Sequence, residues 1–236
     1  MSGTISYFQF DHHFVSTNKK FLQDLSSAYC NLWRFDPNFA EYKKCPKCDR
    51  YFSYDFVVNQ GNTICPDCSI KEGKEIFLVE AWVEEEMENK ILELTSLGED
   101  FFGAVAYDNL KQKVVGFVWG VNRSFHEMVS KKEPENIIAT VYNHTGKTPY
   151  FNEIATDPAY REHGIGSELC FMLVEWMKKK FVNIPGYLHT HKDSPARRLF
   201  ERSGYVFHSN DERLGGGRIY MFIDNCAFFT PENLRR

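Results

Sequence analysis

Between Asn152 and Ser167 an aliphatic run, Ile154-Ala155-Thr156, passes through Asp157-Pro158 into Tyr160-Arg161-Glu162-His163-Gly164-Ile165-Gly166-Ser167. Proline disfavours helix in the residue before it, so the extended run ends at the turn. Beyond it Ile165, Leu169, Met172, Leu173, Trp176 and Met177 recur at helical spacing, and Lys178 to Lys180 are basic. That pattern predicts a helix over 164–181 with cations at the end its dipole favours. The glycines at its start let a diphosphate approach the backbone, and the unpaired N–H groups of a helix N-terminus attract anions. Residues Glu162, His163, Gly164, Ile165, Gly166 and Ser167 would supply those donors. Arg161 adds a cation, and the Ser167 hydroxyl a further hydrogen bond.

The remainder of the chain reads as an α/β alternation. Residues 4–10 suit a strand. Over 18–35, Phe21, Leu22, Leu25, Leu32 and Trp33 follow a polar cap and predict a helix ended by Asp36-Pro37. Over 75–97, Val79, Trp82, Val83, Met87, Ile91 and Leu94 recur every three or four residues, with Glu84, Glu85, Glu86 and Glu88 on other faces, predicting a second amphipathic helix. Residues 101–107 and 113–122 predict an antiparallel hairpin. A short helix over 135–142, strands over 150–156, 186–191, 205–208 and 218–224, and a helix over 194–202 stopped by Gly204 complete the pattern.

Segment 40–73 interrupts it with Cys45-Pro46-Lys47-Cys48 and Cys65-Pro66-Asp67-Cys68. Two such knuckles bring four thiolates into the tetrahedron of a closed structural zinc site, Cys45, Cys48, Cys65 and Cys68 being the ligands. Iron in a rubredoxin-like setting shares the geometry; zinc is preferred. Tyr51, Phe52, Tyr54, Phe56, Val57, Val58 and Ile64 suggest a β-hairpin ribbon whose core is too small to hold without metal. Four thiolates leave no open position for catalysis, so the metal is structural. The expected organisation is 1–39, a zinc-ribbon-like insertion at 40–73, and 74–236.

With 43% hydrophobic and 25% charged residues the 236-residue chain suits one α/β domain plus a small module. A net charge of -4 argues against a general nucleic-acid surface. Its apolar runs fall well short of the roughly 20 residues that span a bilayer. Residues 1–10 lack a basic segment followed by an apolar one, so a cytoplasmic location without membrane attachment is expected. A homodimer is compatible with these features.

A second stretch, Asp193-Ser194-Pro195-Ala196-Arg197-Arg198-Leu199-Phe200-Glu201-Arg202-Ser203-Gly204-Tyr205, lies downstream of the glycine-bearing helix. Together with Arg161, Gly164 and Gly166 behind a strand and an Asp-Pro turn, it resembles the GCN5-related N-acetyltransferase (GNAT) family. The resemblance covers about 101–224. It implies a mixed, mostly antiparallel sheet flanked by helices and splayed between its fourth and fifth strands, with acyl-coenzyme A in the split. Ile154, Ala155 and Thr156 would pair with the pantetheine amides, Arg161 to Ser167 would hold the pyrophosphate, and Asp193 and Phe200 would border the coenzyme. The implied activity is transfer of an acetyl or other short acyl group from acetyl-coenzyme A to a primary amine. Glu153, on the strand beside the thioester, is the candidate base. Phe200 stands where many members carry a Tyr that protonates the departing thiolate. Tyr205, Tyr187, His189 or His191 could replace it, with Tyr205 the candidate acid. The other reading is a non-catalytic acyl-coenzyme A sensor or a zinc-ribbon module that binds protein or nucleic acid.

Overall fold

The computed structural model describes residues 5–35, 41–130, 133–142, 146–211 and 217–234. In chain order they form strand β1 (Ile5–Phe10), helices α1 (His12–Thr17) and α2 (Lys19–Phe35), strands β2 (Lys43–Lys44) and β3 (Tyr51–Phe52), helix α3 (Pro66–Glu72) and strand β4 (Val79–Glu80). Helix α4 (Glu84–Thr95), strands β5 (Phe101–Asp108) and β6 (Lys113–Ser124), helices α5 (Phe125–Ser130) and α6 (Glu135–Tyr142) and strand β7 (Lys147–Thr156) come next. Helix α7 (Ile165–Lys180), strand β8 (Gly186–His191), helix α8 (Arg197–Ser203) and strands β9 (Val206–Asn210) and β10 (Arg218–Ile223) complete the order. Thr4, Asp36, Pro37 and Ala40, to which the expected element ends extend, lie outside the described residues.

The chain divides into two compact units, one of Met1–Val15 with Leu94–Arg236 and one of Ser16–Glu93. The first is built on a seven-stranded sheet of order β1-β5-β6-β7-β8-β10-β9. Every neighbouring pair is antiparallel except β7 with β8. This is the expected mixed, mostly antiparallel sheet flanked by helices. Strands β5 and β6 are buried almost throughout, which explains their nearly continuous apolar sequences. One face of the sheet packs on α7, whose Ile165, Leu169, Leu173, Val174 and Met177 are buried with Ala104, Ala106, Val118, Phe151 and Leu188. Each such leucine-sized side chain contributes roughly 1.5–3 kcal/mol on burial. The helix lies close because Gly120 carries no side chain: a Cβ there would stand 2.8 Å from Leu173 Cδ1 and 3.1 Å from the Tyr150 carbonyl oxygen.

Two irregularities shape this sheet. Between β6 and β7 the register jumps from Trp119↔Glu153 to Gly120↔Phe151, which makes Asn152 the extra residue of a β-bulge. Strands β7 and β8 pair only at Tyr150↔Tyr187 and Phe151↔Leu188. Beyond those two pairs their continuations, Asn152 to Thr156 and His189 to His191, part from one another. The opening falls between the fourth and fifth strands of the sheet order, where the family resemblance puts it.

The second unit holds α2, α3, most of α4 and a small sheet of order β3-β2-β4. Asn18 caps α2 by accepting from the Phe21 N–H at 3.0 Å. The helix expected over 75–97 begins only at Glu84, so Val79 and Trp82 are not part of its stripe. Tertiary pairing overrides the periodicity: the Cys65 N–H donates to the Ile76 carbonyl, Leu78 to Thr63, and Val79–Glu80 pairs with Lys43–Lys44, holding 76–80 extended. The cysteine segment is also less β-rich than expected. Its first knuckle lies between β2 and β3, but Val57 and Val58 fall in a π-helical turn (Asp55–Asn59) and the second knuckle opens α3. Pro66 at the first helical position favours that start, and Gly73 in a left-handed conformation (φ 64°) ends it.

Candidate active site

The turn from β7 into α7 is fixed by side chains on both flanks. Asp157 Oδ1 accepts from the Ala159 N–H at 3.0 Å and Oδ2 from Lys113 Nζ at 2.8 Å. Tyr160 donates to Asp108 Oδ2 at 2.6 Å. The Tyr160 hydrogen bond and the Lys111 N–H hold the Asp108 carboxyl below the ordinary carboxylate range. Burial pushes Asp157 up, but Lys113 and the Ala159 N–H outweigh it and hold that carboxyl low as well. The loop itself is exposed and turned left-handed at Glu162 (φ 65°) and Gly164 (φ 80°). A Cβ at Gly164 would meet nothing within 4 Å, so glycine is needed there for its backbone angle, not for space.

The first bond of α7 runs from the Glu168 N–H to the Gly164 carbonyl at 3.0 Å. The N–H groups of Ile165, Gly166 and Ser167 are thus donors with no partner inside the helix. Arg161 Nε donates to the Thr156 carbonyl at 3.3 Å, and His163 Nδ1 donates to the Arg161 carbonyl at 2.7 Å. Ser167 Oγ accepts from Arg202 Nη2 at 3.1 Å and retains its own hydrogen to donate. The residues predicted as an anion-binding turn are therefore gathered at one helix N-terminus, and Gly166 sits beside Thr156, 3.5 Å from its Oγ1 by the position a Cβ would take.

Ile154 packs against the α7 core, while Ala155 and Thr156 pair with Phe117 and Gly116 on the β6 side and leave their other edge toward the opening. Phe200 is buried, edge-on to Phe151 with ring centroids 5.0 Å apart. Asp193 lines a cleft of about 540 Å³ with Lys192, Arg197, Arg198 and Glu201, in which Arg197 is paired with Glu201 at 2.8 Å. Tyr205 is not brought to the opening. It is 1% exposed in the α7 core, and its hydroxyl donates to Met177 Sδ at 3.5 Å. Burial pushes its ionisation well above the ordinary tyrosine value. The sequence showed only a tyrosine after the Gly204 helix stop, whereas packing makes it a core residue.

The opposite face of the sheet carries a polar network of which sequence reasoning named Glu153, Tyr187 and His189 but missed Arg123, Glu133, Asp211 and Tyr220. Glu153 is the cross-strand partner of Trp119 and shares that face with it. Arg123 Nη1 is 3.2 Å from Glu133 Oε1 and donates to the Tyr187 hydroxyl at 3.3 Å; Nη2 donates to Asn152 Oδ1 at 3.3 Å. Its guanidinium lies 3.6 Å from the Tyr150 ring centroid. Burial works against the charged form of Arg123, but Tyr150, Tyr187 and Glu133 outweigh it. Burial likewise raises Tyr150 and Tyr187, with Glu133 adding to the effect on both. Glu133 also accepts from the Tyr220 hydroxyl, and His189 Nε2 lies 3.1 Å from Asp211 Oδ2. These residues are far apart in the chain and follow no spacing rule. The bulge at Asn152 and the register of β8 with β10 bring them together.

In the second unit the Sγ atoms of Cys45, Cys48, Cys65 and Cys68 lie within 4.8 Å of one another. A tetrahedral zinc with bonds of about 2.3 Å needs sulfur separations of about 3.8 Å, and Cys48 and Cys65 are already 4.0 Å apart. The Lys47 N–H points at Cys45 Sγ at 3.4 Å, and Arg50 pairs with Asp67 across the two knuckles. The four thiols thus fit a closed metal site.

A glycine-bearing helix N-terminus beside a splayed parallel strand pair defines an acyl-coenzyme A-dependent acyltransferase fold. The sequence profile of the Acetyltransferase (GNAT) family matches residues 69–205, more than half of the chain, and the chain belongs to that family. No curated protein matches the sequence. Among solved structures, a GNAT-family acetyltransferase from Streptococcus pneumoniae is similar at TM-score 0.51 and 13% identity, over 93% of this chain and 98% of that one. The structure described as histone acetyltransferase HPA2 and related acetyltransferase, from Corynebacterium glutamicum, is similar at 0.51 and 17%, over 94% and 97%. A ribosomal-protein-S5-alanine acetyltransferase from Vibrio fischeri is similar at 0.50 and 12%, over 95% and 95%. At these identities the likeness is one of fold. No described helix is long and apolar enough to cross a membrane.

Proposed function

We propose that the protein is an N-acyltransferase that moves an acetyl or other short acyl group from acyl-coenzyme A to a primary amine by direct attack in a ternary complex. The observation that carries this reading is the conjunction of the α7 N-terminus, with three N–H donors unused by the helix, and the β7–β8 opening beside it. Arg161 and the N–H groups of 165–167 hold the pyrophosphate. The free edge of Ile154 to Thr156 pairs with the pantetheine amides, and Lys192 and Arg198 counter the coenzyme's remaining negative charge. The thioester then lies where the two strands part. The amine approaches it from the face of Glu153, Tyr150 and His189, opposite α7.

Glu153 meets the acceptor's ammonium group on that face. The four cysteines hold zinc, whose part is to fold segment 41–80 and not to act on substrate. Thiol release from acetyl-coenzyme A across a panel of small amines and lysine peptides tests the reading. Arg161→Ala is expected to weaken coenzyme binding about tenfold, the loss of one charge-assisted contact. Glu153→Gln should lower kcat/KM for the amine by about 10- to 100-fold while leaving coenzyme affinity unchanged. Tight coenzyme binding with no turnover of any amine would favour the sensor reading, in keeping with Phe200 at the family's acid position.

A further inference from the structure

Arg123 stands opposite Thr148 in the β6–β7 ladder, yet its guanidinium lies further up β7, 3.6 Å from the Tyr150 ring centroid and 3.3 Å from Asn152 Oδ1. One side chain thus reaches over a ring to the residue that the register jump leaves without a partner on β6. Nη1 donates to the Tyr187 hydroxyl at 3.3 Å and to Glu133 Oε1 at 3.2 Å, and Glu133 accepts from the Tyr220 hydroxyl. These contacts tie β6, β7 and β8 to one another directly, and β10 through Glu133. Tyr150 and Tyr187 form one of the two pairs after which β7 and β8 part, so the cation sits at the closed end of the opening. Of its acceptors, Asn152 alone lies on β7 or β8 past the last of those pairs, in the stretch that leads to the α7 turn.

Stability does not account for this arrangement. The side chains of Arg123 and Glu133 are 8% and 9% exposed. Taking two charges out of water offsets most of their attraction, so apolar side chains of similar volume hold a fold as well. What a buried pair adds is one fixed geometry, because each of its donors has a set direction. A planar guanidinium serves acceptors on several elements at once, whereas an ammonium presents a single point charge. We infer that Arg123 is a positioning residue for acyl transfer: by holding Asn152 it fixes the bulge so that the backbone N–H there is aimed at the thioester carbonyl. The inference rests on the coenzyme placement proposed above. With the pyrophosphate at 165–167 and the pantetheine along Thr156 to Ile154, the thioester comes level with Asn152 and Glu153. Its carbonyl oxygen gains negative charge as the amine adds, and a donor fixed beforehand stabilises that charge without reorganising. The extra residue of a bulge has no ladder bond to set its angle, and the Arg123 contact supplies that constraint. Arg123 touches neither coenzyme nor amine and acts through Asn152.

The test adds acetyl-coenzyme A, isotope-labelled at the carbonyl carbon, to the full chain and reads the stretch of the bound thioester by difference infrared spectroscopy. Calorimetry gives coenzyme affinity, urea unfolding gives stability, and kcat and KM are measured for the best amine. In the native protein the stretch is expected below its value in water, the mark of a polarised carbonyl. Asn152→Ala removes one hydrogen bond and no charge. It should abolish that shift and lower kcat about tenfold, with coenzyme affinity and amine KM within about threefold. Asn152→Asp keeps an acceptor for Arg123 and should restore both. Arg123→Met combined with Glu133→Met is expected to retain most of the stability while losing the shift and about 10- to 100-fold in kcat. A pair with a structural role alone would give the reverse, activity following stability. A native stretch equal to that in water overturns the inference, as does an Asn152→Ala protein with the native shift and kcat; Asn152→Ala decides alone if the double variant does not fold. A native protein that binds coenzyme with the shift but acetylates no amine removes the transferase reading and leaves Arg123 aiming the donor. Turnover with an unchanged Asn152→Ala protein removes only the role of Arg123, and absence of coenzyme binding removes both.

Discussion

At the scale of single residues, Gly164 and Arg123 show two ways in which one side chain decides a site. Gly164 is needed for its left-handed backbone, with open space around it. Gly164→Ala should therefore destabilise the fold by about 1–2 kcal/mol, the usual penalty of that region for a residue with Cβ. It should also weaken acetyl-coenzyme A binding as the loop relaxes. Thermal unfolding and calorimetry on the same sample read both. Arg123 and Glu133 are 8% and 9% exposed, so neither charge is solvated once its partner is gone. Glu133→Ala is expected to cost about 3–5 kcal/mol in urea unfolding, whereas replacing both residues by apolar ones of similar volume should recover most of it. The helix start after Gly164 was legible from local spacing because a helix start is local. Arg123, Asp211 and His189 were not legible as a network because the contacts among them exist only after the sheet has formed.

At the scale of elements, the placement of α7 on the sheet and the clamp on the turn before it shape the proposed coenzyme side of the site. Gly120→Ala would press a methyl against Leu173 and the Tyr150 carbonyl, and a loss of about 1–3 kcal/mol in chemical unfolding is expected. The turn is held by Asp108 and Asp157, both with carboxyls below the ordinary range. A depressed folded value means that the contribution to stability is present above about pH 4, the ordinary aspartate value. It is lost as pH falls through the folded values. Coenzyme affinity measured from pH 6 down to 3 should accordingly weaken at the acid end, and less so in an Asp108→Asn variant, whose amide cannot titrate. Helix α4 is the opposite case. Its apolar stripe continues in sequence back to Val79, yet pairing of 76–80 with the cysteine segment claims those residues as strand, and the three glutamates from Glu84 mark the true first turn.

At the scale of the molecule, the chain is two compact units with different sources of stability. The sheet unit has a large apolar core. The buried cluster around the four cysteines is small, with Phe52 the one other buried apolar side chain in it among the described residues. Metal analysis is expected to find about one zinc per chain, and a strong chelator or Cys45→Ser with Cys65→Ser should unfold segment 41–80. Circular dichroism would register that loss as a small low-temperature transition, separate from the main unfolding of the sheet unit. A single transition unaffected by chelation would remove the structural role assigned to the metal.

Local spacing in the sequence carried the main strands and helices of the sheet unit, the glycine-bearing helix start and the two cysteine knuckles, because capping, glycine conformation and ligand spacing act over a few residues. The mixed sheet and its opening were legible through the resemblance of two ordered motifs. Three features awaited the tertiary structure: which face of β7 presents Glu153, the burial of Tyr205, and the meeting of Arg123, Glu133, Tyr220, Asp211 and His189 on one surface. The first and third depend on strand register and on a bulge, the second on packing against α7. A shift of one residue in a strand reverses every side chain, and no short-range pattern specifies it.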